Sequence, residues 1–259
     1  MQPGFAPRIG CVSYLNAHPL WEGLNYPVTL DHPSVLCRKL AAGEIDVALV
    51  SSFEFLRNPI YSIVDGVSIA ANGPVYSVFV ASKLVSDLAE VELDPASATA
   101  VSLWRCLVRE RGKAFAEAAP PADKLSPLTN GRARLLIGDQ AIRFRRKFEN
   151  EYQYLDLGEA WQRQTNLPFV FALWLIRPEV GDATAIADDL RRTRDANLER
   201  LDAIIQEQTE FPAEFCSRYY RENLSFRLGE KEKAGLRLFG ELCAKHGLLP
   251  SRPKDLRLV

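Results

Sequence analysis

The sequence predicts an α/β protein of two lobes facing each other across a cleft. Short apolar strands alternate with amphipathic helices through the first third of the chain, and the alternation restarts in the middle third. Beyond Pro178 the pattern is helical to the end. Lobe one is expected over residues 1–83 and 178–259, and lobe two over 84–177, with extended crossovers near 78–83 and 171–177.

In chain order, 8–13 reads as a first strand, and Pro19 suits the start of a short helix because its missing N–H costs nothing there. A strand at 28–31 follows, then a helix at 35–42 opened by Pro33 and Ser34 and closed by Gly43. The nearly continuous apolar run 45–50 suits a strand covered on both faces. It ends at Ser51 and Ser52, before a helix through Phe55 and Leu56. Residues 64–70 and 75–83 are extended around the turn Ala71-Asn72-Gly73-Pro74. The second unit has strands at 91–93, 134–137 and 168–176, a strong helix at 100–111 and another opened by Gly138-Asp139. The Ala/Pro-rich stretch 116–121 reads as a surface connection. Helices are expected at 183–208, 212–220 and 231–246.

Composition narrows the functional class. With 47% hydrophobic residues among 259, the chain can bury a large core. Lys and Arg number 32 against 33 Asp and Glu, so the basic footprint of a nucleic-acid binder is missing. The basic stretches at 143–147 and 191–194 lie beside acids on expected helices and read as solvated faces. Residues 1–8 do not read as a signal peptide, and no apolar run is long enough for membrane insertion. Cys11, Cys37, Cys106, Cys216 and Cys243 are scattered without a CxxC pair, as befits small buried hydrophobes in a reduced, cytoplasmic protein. His18, His32 and His246 have no metal-ligand spacing, so neither metal nor cofactor is expected.

In an open α/β sheet, ligands gather beyond the carboxyl ends of the strands. There the chain sets Ser13, Tyr14 and Asn16 after the first strand, Ser51 and Ser52 after the third, and Gly138 and Asp139 after a later one. Ser97 and Thr99 precede a helix whose N-terminus attracts an anion, and Ser77 lies where crossover and cleft meet. Each of these polar groups can instead serve as a helix cap, and the local sequence leaves both roles open. No His–carboxylate or Cys–His pair can be assembled from these segments. Asp139 is their one acid at a strand end.

These segments carry a resemblance: Val12-Ser13-Tyr14-Leu15-Asn16, the stretches 43–52, 68–78 and 93–99, Ile137-Gly138-Asp139, and the stretches 156–161 and 167–172, in that order. The chain resembles the chorismate dehydratases of menaquinone biosynthesis by the futalosine pathway, a branch of the periplasmic-binding-protein-like type II fold. It departs from their pattern in having Ala98 and Ala100 where an arginine and a hydroxyl residue are usual, and Ser51 where proline is common. The resemblance implies loss of water from chorismate, a dicarboxylate, without a cofactor. Asn16 is then the expected catalytic residue, donating to the departing oxygen or orienting a substrate carboxylate that acts as base. Ser13, Tyr14, Ser51, Ser52, Ser77, Ser97, Thr99, Gly138 and Asp139 are the expected substrate-binding residues. The competing readings are a 1,4-dihydroxy-6-naphthoate synthase-like lyase of the same pathway, and a non-catalytic cytoplasmic protein that binds or senses a small carboxylate.

Overall fold

A computed structural model describes residues 6–83, 89–94, 97–251 and 255–259. The expected lobe boundary after Lys83, Pro95 and Ala96 of the expected loop, and residues 1–5 of the N-terminal stretch lie outside the described residues.

The chain enters through β1 (Ile9–Cys11), a 3-10 turn (Leu15–Ala17) and α1 (His18–Trp21), then β2 (Val28–Leu30) and α2 (Pro33–Ala42). Pro33 stands at the start of α2 and His32 caps it, while Gly43 ends it in the left-handed region at φ +74°. β3 (Val47–Ser51), α3 (Ser52–Arg57) and β4 (Ser62–Ala71) come next. The middle of the chain forms β5 (Val78–Ser82), β6 (Glu90–Glu92), α4 (Ala98–Glu110), β7 (Ala116–Ala118), β8 (Arg132–Ile137), α5 (Gly138–Lys147), β9 (Gln153–Asp156) and α6 (Leu157–Thr165). Then come β10 (Phe169–Ile176), α7 (Ala183–Glu199), α8 (Leu201–Glu207), α9 (Ala213–Arg218), a π-helical turn (Tyr219–Asn223), β11 (Ser225–Leu228) and α10 (Glu230–Lys245).

Two mixed sheets result, ordered β11-β4-β10-β3-β1-β2 and β7-β6-β8-β5-β9. β3 is parallel to β1 and antiparallel to β10, and all its residues before Ser51 are buried. The crossovers expected at 78–83 and 171–177 need correcting. β5 hydrogen-bonds to β8 and β9, and β10 to β3 and β4, so both are sheet strands. The chain instead changes sheet at 72–77 and 157–168. Residues 116–118 are an edge strand paired with β6 rather than a connection, because a neighbouring strand supplies hydrogen bonds that local propensity does not announce. The long helix expected at 183–208 breaks at Arg200, whose side chain bonds Asn197 and Glu22.

The aromatic heart of the core joins α6, β10 and α10: Trp161 and Phe239 each pack edge-on against Phe169, at centroid distances of 5.2 and 4.9 Å. All five cysteines are buried and unbridged. The basic stretch of α7 is not wholly a solvated face. Arg194 is buried and donates to the carbonyls of Gly66 and Phe226, beneath the β4–β11 pair. Among the described residues no helix is long and apolar enough to cross a membrane.

At the second change of sheet, α6 presses on the first. A Cβ on Gly158 would stand 2.6 Å from the Gly73 carbonyl oxygen and 3.2 Å from Val75 Cβ. Gly158→Ala should therefore destabilise the protein by about 2 kcal/mol or more, despite alanine's better helix propensity. Thermal unfolding reads this directly, and an unchanged Tm contradicts the close approach.

Candidate active site

Both sheets contribute to one cleft, enclosing about 610 Å³ of space that is partly open to solvent. From the first sheet come Val12, Tyr14 and Asn16 after β1, Leu49 to Ser51 at the end of β3, Ile69 of β4, and Phe171 and Ala172 of β10. Facing them are Ser97 to Ala100 at the start of α4, and Ile137 and Gly138 where β8 becomes α5. Six of the ten residues singled out in the sequence thus share one lining: Tyr14, Asn16, Ser51, Ser97, Thr99 and Gly138.

The geometry of these six is specific. Gly138 sits at φ +59°, and a Cβ there would stand 3.0 Å from the Tyr14 ring, so the absent side chain lets the ring lie flat on the backbone. Burial, then the charges of Asp139 and Asp94, push the Tyr14 hydroxyl up to about 12, so it remains a neutral hydrogen-bonding group. The hydroxyls of Ser51 and Thr99 bond each other across the cleft, and Thr99 Oγ1 accepts the Phe53 N–H at 3.1 Å. Neither Ser51 nor Ser97 makes a side-chain cap bond to the helix it precedes, so the capping alternative is not realised at either. Asn16 carries the clearest sign of an open valence: its Oδ1 is buried and has no hydrogen-bond partner among the described residues. The atom it leaves open is thus an acceptor, where the sequence pattern stressed a donor.

The other four stand outside that lining. Ser52 is fully buried and donates to the Val170 carbonyl at 2.7 Å. Ser77, also fully buried, accepts the Tyr219 hydroxyl at 2.6 Å. Ser13 is exposed and, with Asp139, His18 and residues 207–211, borders a second, more polar cavity. Asp139 accepts the Leu15 N–H at 3.0 Å, and burial lifts its carboxyl from 3.8 to about 6 against the pull of that bond. His18 contacts Gln208 at 3.1 Å, and burial lowers its pKa.

Among the described residues no Lys, Arg, His, Asp or Glu side chain lines the main cleft. The first turns of α4 and α5 open on it, where N–H groups lack intrahelical partners, although the Gly138 N–H is taken by the Ser77 carbonyl and Asp139 stands in the first turn of α5. Valine, leucine, isoleucine and phenylalanine form its apolar wall. The sequence pattern does not mark Val12, Leu49, Ile69 or Phe171 as site residues, since apolar residues in strands are core residues by default. Nor does it mark Tyr219 and Tyr220, which reach this region from the far end of the chain.

Comparison with known proteins points the same way. A family model described as menaquinone biosynthesis matches residues 7–245. A chorismate dehydratase of Thermus thermophilus is 30% identical over 259 residues, covering 90% of this chain and 93% of the relative. Another, of Campylobacter jejuni, is 26% identical over 250 residues, covering 89% and 90%. A crystallised protein of Archaeoglobus fulgidus superposes with a TM-score of 0.73 at 18% identity, over 94% of this chain and 98% of that one. The periplasmic aliphatic sulphonate binding protein of Escherichia coli gives 0.65 at 14% identity, over 95% and 89%. At these identities the structures speak for the fold alone, and the periplasmic-binding-protein-like architecture expected from the sequence is the one they share.

The raised pKa of Asp139 has a stability consequence. The folded state favours the protonated carboxyl more than the unfolded chain does, so this group's contribution is most favourable below pH 4 and is lost as pH rises through about 6. Asp139→Asn should leave Tm near the wild-type value at pH 4 and raise it at pH 7.5, by the equivalent of about 2–3 kcal/mol. A gap between the two proteins that shrinks with rising pH contradicts burial as the cause.

Proposed function

This chain belongs to the menaquinone-biosynthesis family, and from that premise we propose that it is a carbon–oxygen lyase dehydrating chorismate to 3-[(1-carboxyvinyl)oxy]benzoate. The observation that carries the proposal is the cleft lining: neutral hydrogen-bonding groups and two helix N-terminal turns around an apolar wall, without a charged side chain. A cyclic dianion whose ring flattens as it becomes aromatic fits that chemistry. Charged carboxylates are satisfied by N–H groups and hydroxyls, and the ring by Val12, Leu49, Ile69 and Phe171.

In this reading one carboxylate sits at the first turn of α4 with Ser97, Thr99 and Ser51, and the other near Tyr14 and Gly138. Asn16 Oδ1 accepts the hydrogen bond of the C4 hydroxyl and fixes the direction of the C4–O bond. The C3 proton is acidified by conjugation with the ring carboxylate. Among the described residues the cleft lining holds no carboxylate, imidazole or amine to act as base, so a substrate carboxylate takes that proton. The C4–O bond then breaks, the hydroxide collects the proton from the carboxylate, and water leaves as the ring becomes aromatic. Ser52 and Ser77 brace the walls from behind, and Asp139 holds the Leu15 peptide. The two sheets are read as two lobes, one of residues before 72 and after 168, the other between them, closing about 72–77 and 157–168. A biosynthetic enzyme of this kind acts in the cytoplasm.

Purified protein given chorismate should release a benzoate whose mass is lower by one water, followed by absorbance and mass spectrometry. Binding without product would move the assignment to a small-carboxylate-binding protein. Asn16→Ala should lower kcat by about 10²-fold with Tm little changed, because a misaligned leaving group is costly. A destabilised variant with near-normal kcat would remove Asn16 from the mechanism.

A further inference from the structure

Helix α3 begins without a cap of its own. Ser51 precedes it, yet the Ser51 side chain makes no bond to its first turn. The cap comes across the cleft from α4, where Thr99 of the first turn accepts the Phe53 N–H on Oγ1 at 3.1 Å. Ordinarily the residue just before a helix supplies this bond. Here a hydroxyl 46 residues along the chain supplies it, so the start of α3 is completed only where the two sheets meet.

Thr99 is also the middle of three hydroxyls. Ser51 Oγ bonds it on the cleft side, and Ser52 Oγ stands 3.4 Å away on the core side. Each hydroxyl has one hydrogen to give and two lone pairs to accept with. Both ends of the series are fixed: the Phe53 N–H donates to Thr99, and buried Ser52 donates to the Val170 carbonyl at 2.7 Å. Only the hydrogens of Thr99 and Ser51 are free to choose. In the inward ordering Ser51 gives to Thr99 and Thr99 to Ser52, and the cleft meets lone pairs. In the outward ordering Thr99 gives to Ser51, whose own hydrogen turns to the cleft. The two differ by rotation about two Cβ–O bonds, with no heavy atom moved. A carboxylate only accepts, and Thr99 spends its hydrogen within the series in either ordering. Ser51 alone of the three is left to donate to it.

We propose that Thr99 is a positioning residue that acts through Ser51: it caps α3 across the cleft, and by taking the Phe53 N–H and handing its own hydrogen to Ser51 it makes Ser51 the donor to an anionic group of the substrate. Donation in sequence polarises each bond of the chain, so Ser51 donates more strongly than an isolated serine. The anion itself selects the outward ordering. That this anion is a carboxylate of chorismate rests on the dehydratase reading; the cap on α3 does not, and the two are tested apart.

Calorimetric binding of 3-[(1-carboxyvinyl)oxy]benzoate to the full chain reads the donor without turnover. Thr99→Val keeps the shape and removes the hydroxyl. It should weaken binding roughly tenfold, and raise KM for chorismate while kcat changes far less. Thr99→Ser returns the hydroxyl and should recover most of the loss. Ser51→Ala should cost a similar factor, and adding Thr99→Val to it should cost little more. Ser52→Ala removes the inward acceptor, so the outward ordering is already populated in the free protein, and binding should tighten about twofold or more. If Thr99→Val folds poorly, the opposite signs of Ser51→Ala and Ser52→Ala decide. Losses that add in full in the double variant, or a Ser52→Ala that weakens binding, make the three hydroxyls a structural prop and overturn the proposal. The cap has its own readout, the Phe53 backbone amide by NMR in the free protein. Its exchange with water should quicken in Thr99→Val and return to the wild-type rate in Thr99→Ser. An amide indifferent to Thr99→Val overturns the cap across the cleft. Wild-type protein that neither binds the benzoate nor consumes chorismate defeats the dehydratase reading, while the Phe53 amide still decides the cap.

Discussion

Where the chain first crosses from one sheet to the other, the carboxylate of Asp156 gathers three backbone N–H groups: Val75 at 3.1 Å, Tyr76 at 2.7 Å and Glu159 at 3.0 Å. It ends β9 and caps α6, so one buried side chain ties the first crossing to the second. Burial pushes its pKa up, and the three N–H donors oppose that push by favouring the anion. The strain it holds is local: Tyr76 lies at φ 65°, an unfavourable setting for a bulky side chain. The position of Ser77, the next residue, depends on that setting. Ser77 accepts Gly138 N–H on its carbonyl at 2.9 Å and Tyr219 on its hydroxyl, and Gly138 in turn meets the Tyr14 ring.

In the proposed reading the cleft recognises charge although no charged side chain lines it among the described residues. Helix first turns and hydroxyls cost less to desolvate than an arginine or lysine, and they present fixed donors that need no rearrangement when a substrate arrives. The alanines at 98 and 100 belong to this economy, since they leave the first turn of α4 uncovered at the cleft lining. The acid and the imidazole nearest the cleft, Asp139 and His18, border the second cavity instead.

Much of this was legible in the sequence because strand ends and helix starts are local events. Polar residues after apolar runs marked Tyr14, Asn16, Ser51, Ser97 and Thr99, and the cleft brings them together. Direction was not legible. Ser51 and Ser52 are neighbours with the same chemistry, yet one faces the cleft and the other bonds Val170 in the core. Ser77 finds its partner 142 residues away, in a π turn that no periodicity announces. The short edge strands β7 and β11 were missed for a related reason: each exists because a neighbour offers it a ladder. Arg194 looked like part of a charged surface, and only the carbonyls of Gly66 and Phe226 explain its burial.

The central claim is that two helix N-termini and neutral side chains, with Asn16 between them, receive a dicarboxylate across the two sheets. A crystal structure of the protein with 3-[(1-carboxyvinyl)oxy]benzoate tests it most directly. The account predicts the ring against Val12, Leu49, Ile69 and Phe171, with one carboxylate accepting first-turn N–H groups of α4 near Thr99 and Asn16 facing C4 of the ring. A ligand seated in the cavity beside His18 and Glu210, or one whose carboxylates both point to solvent, would contradict it.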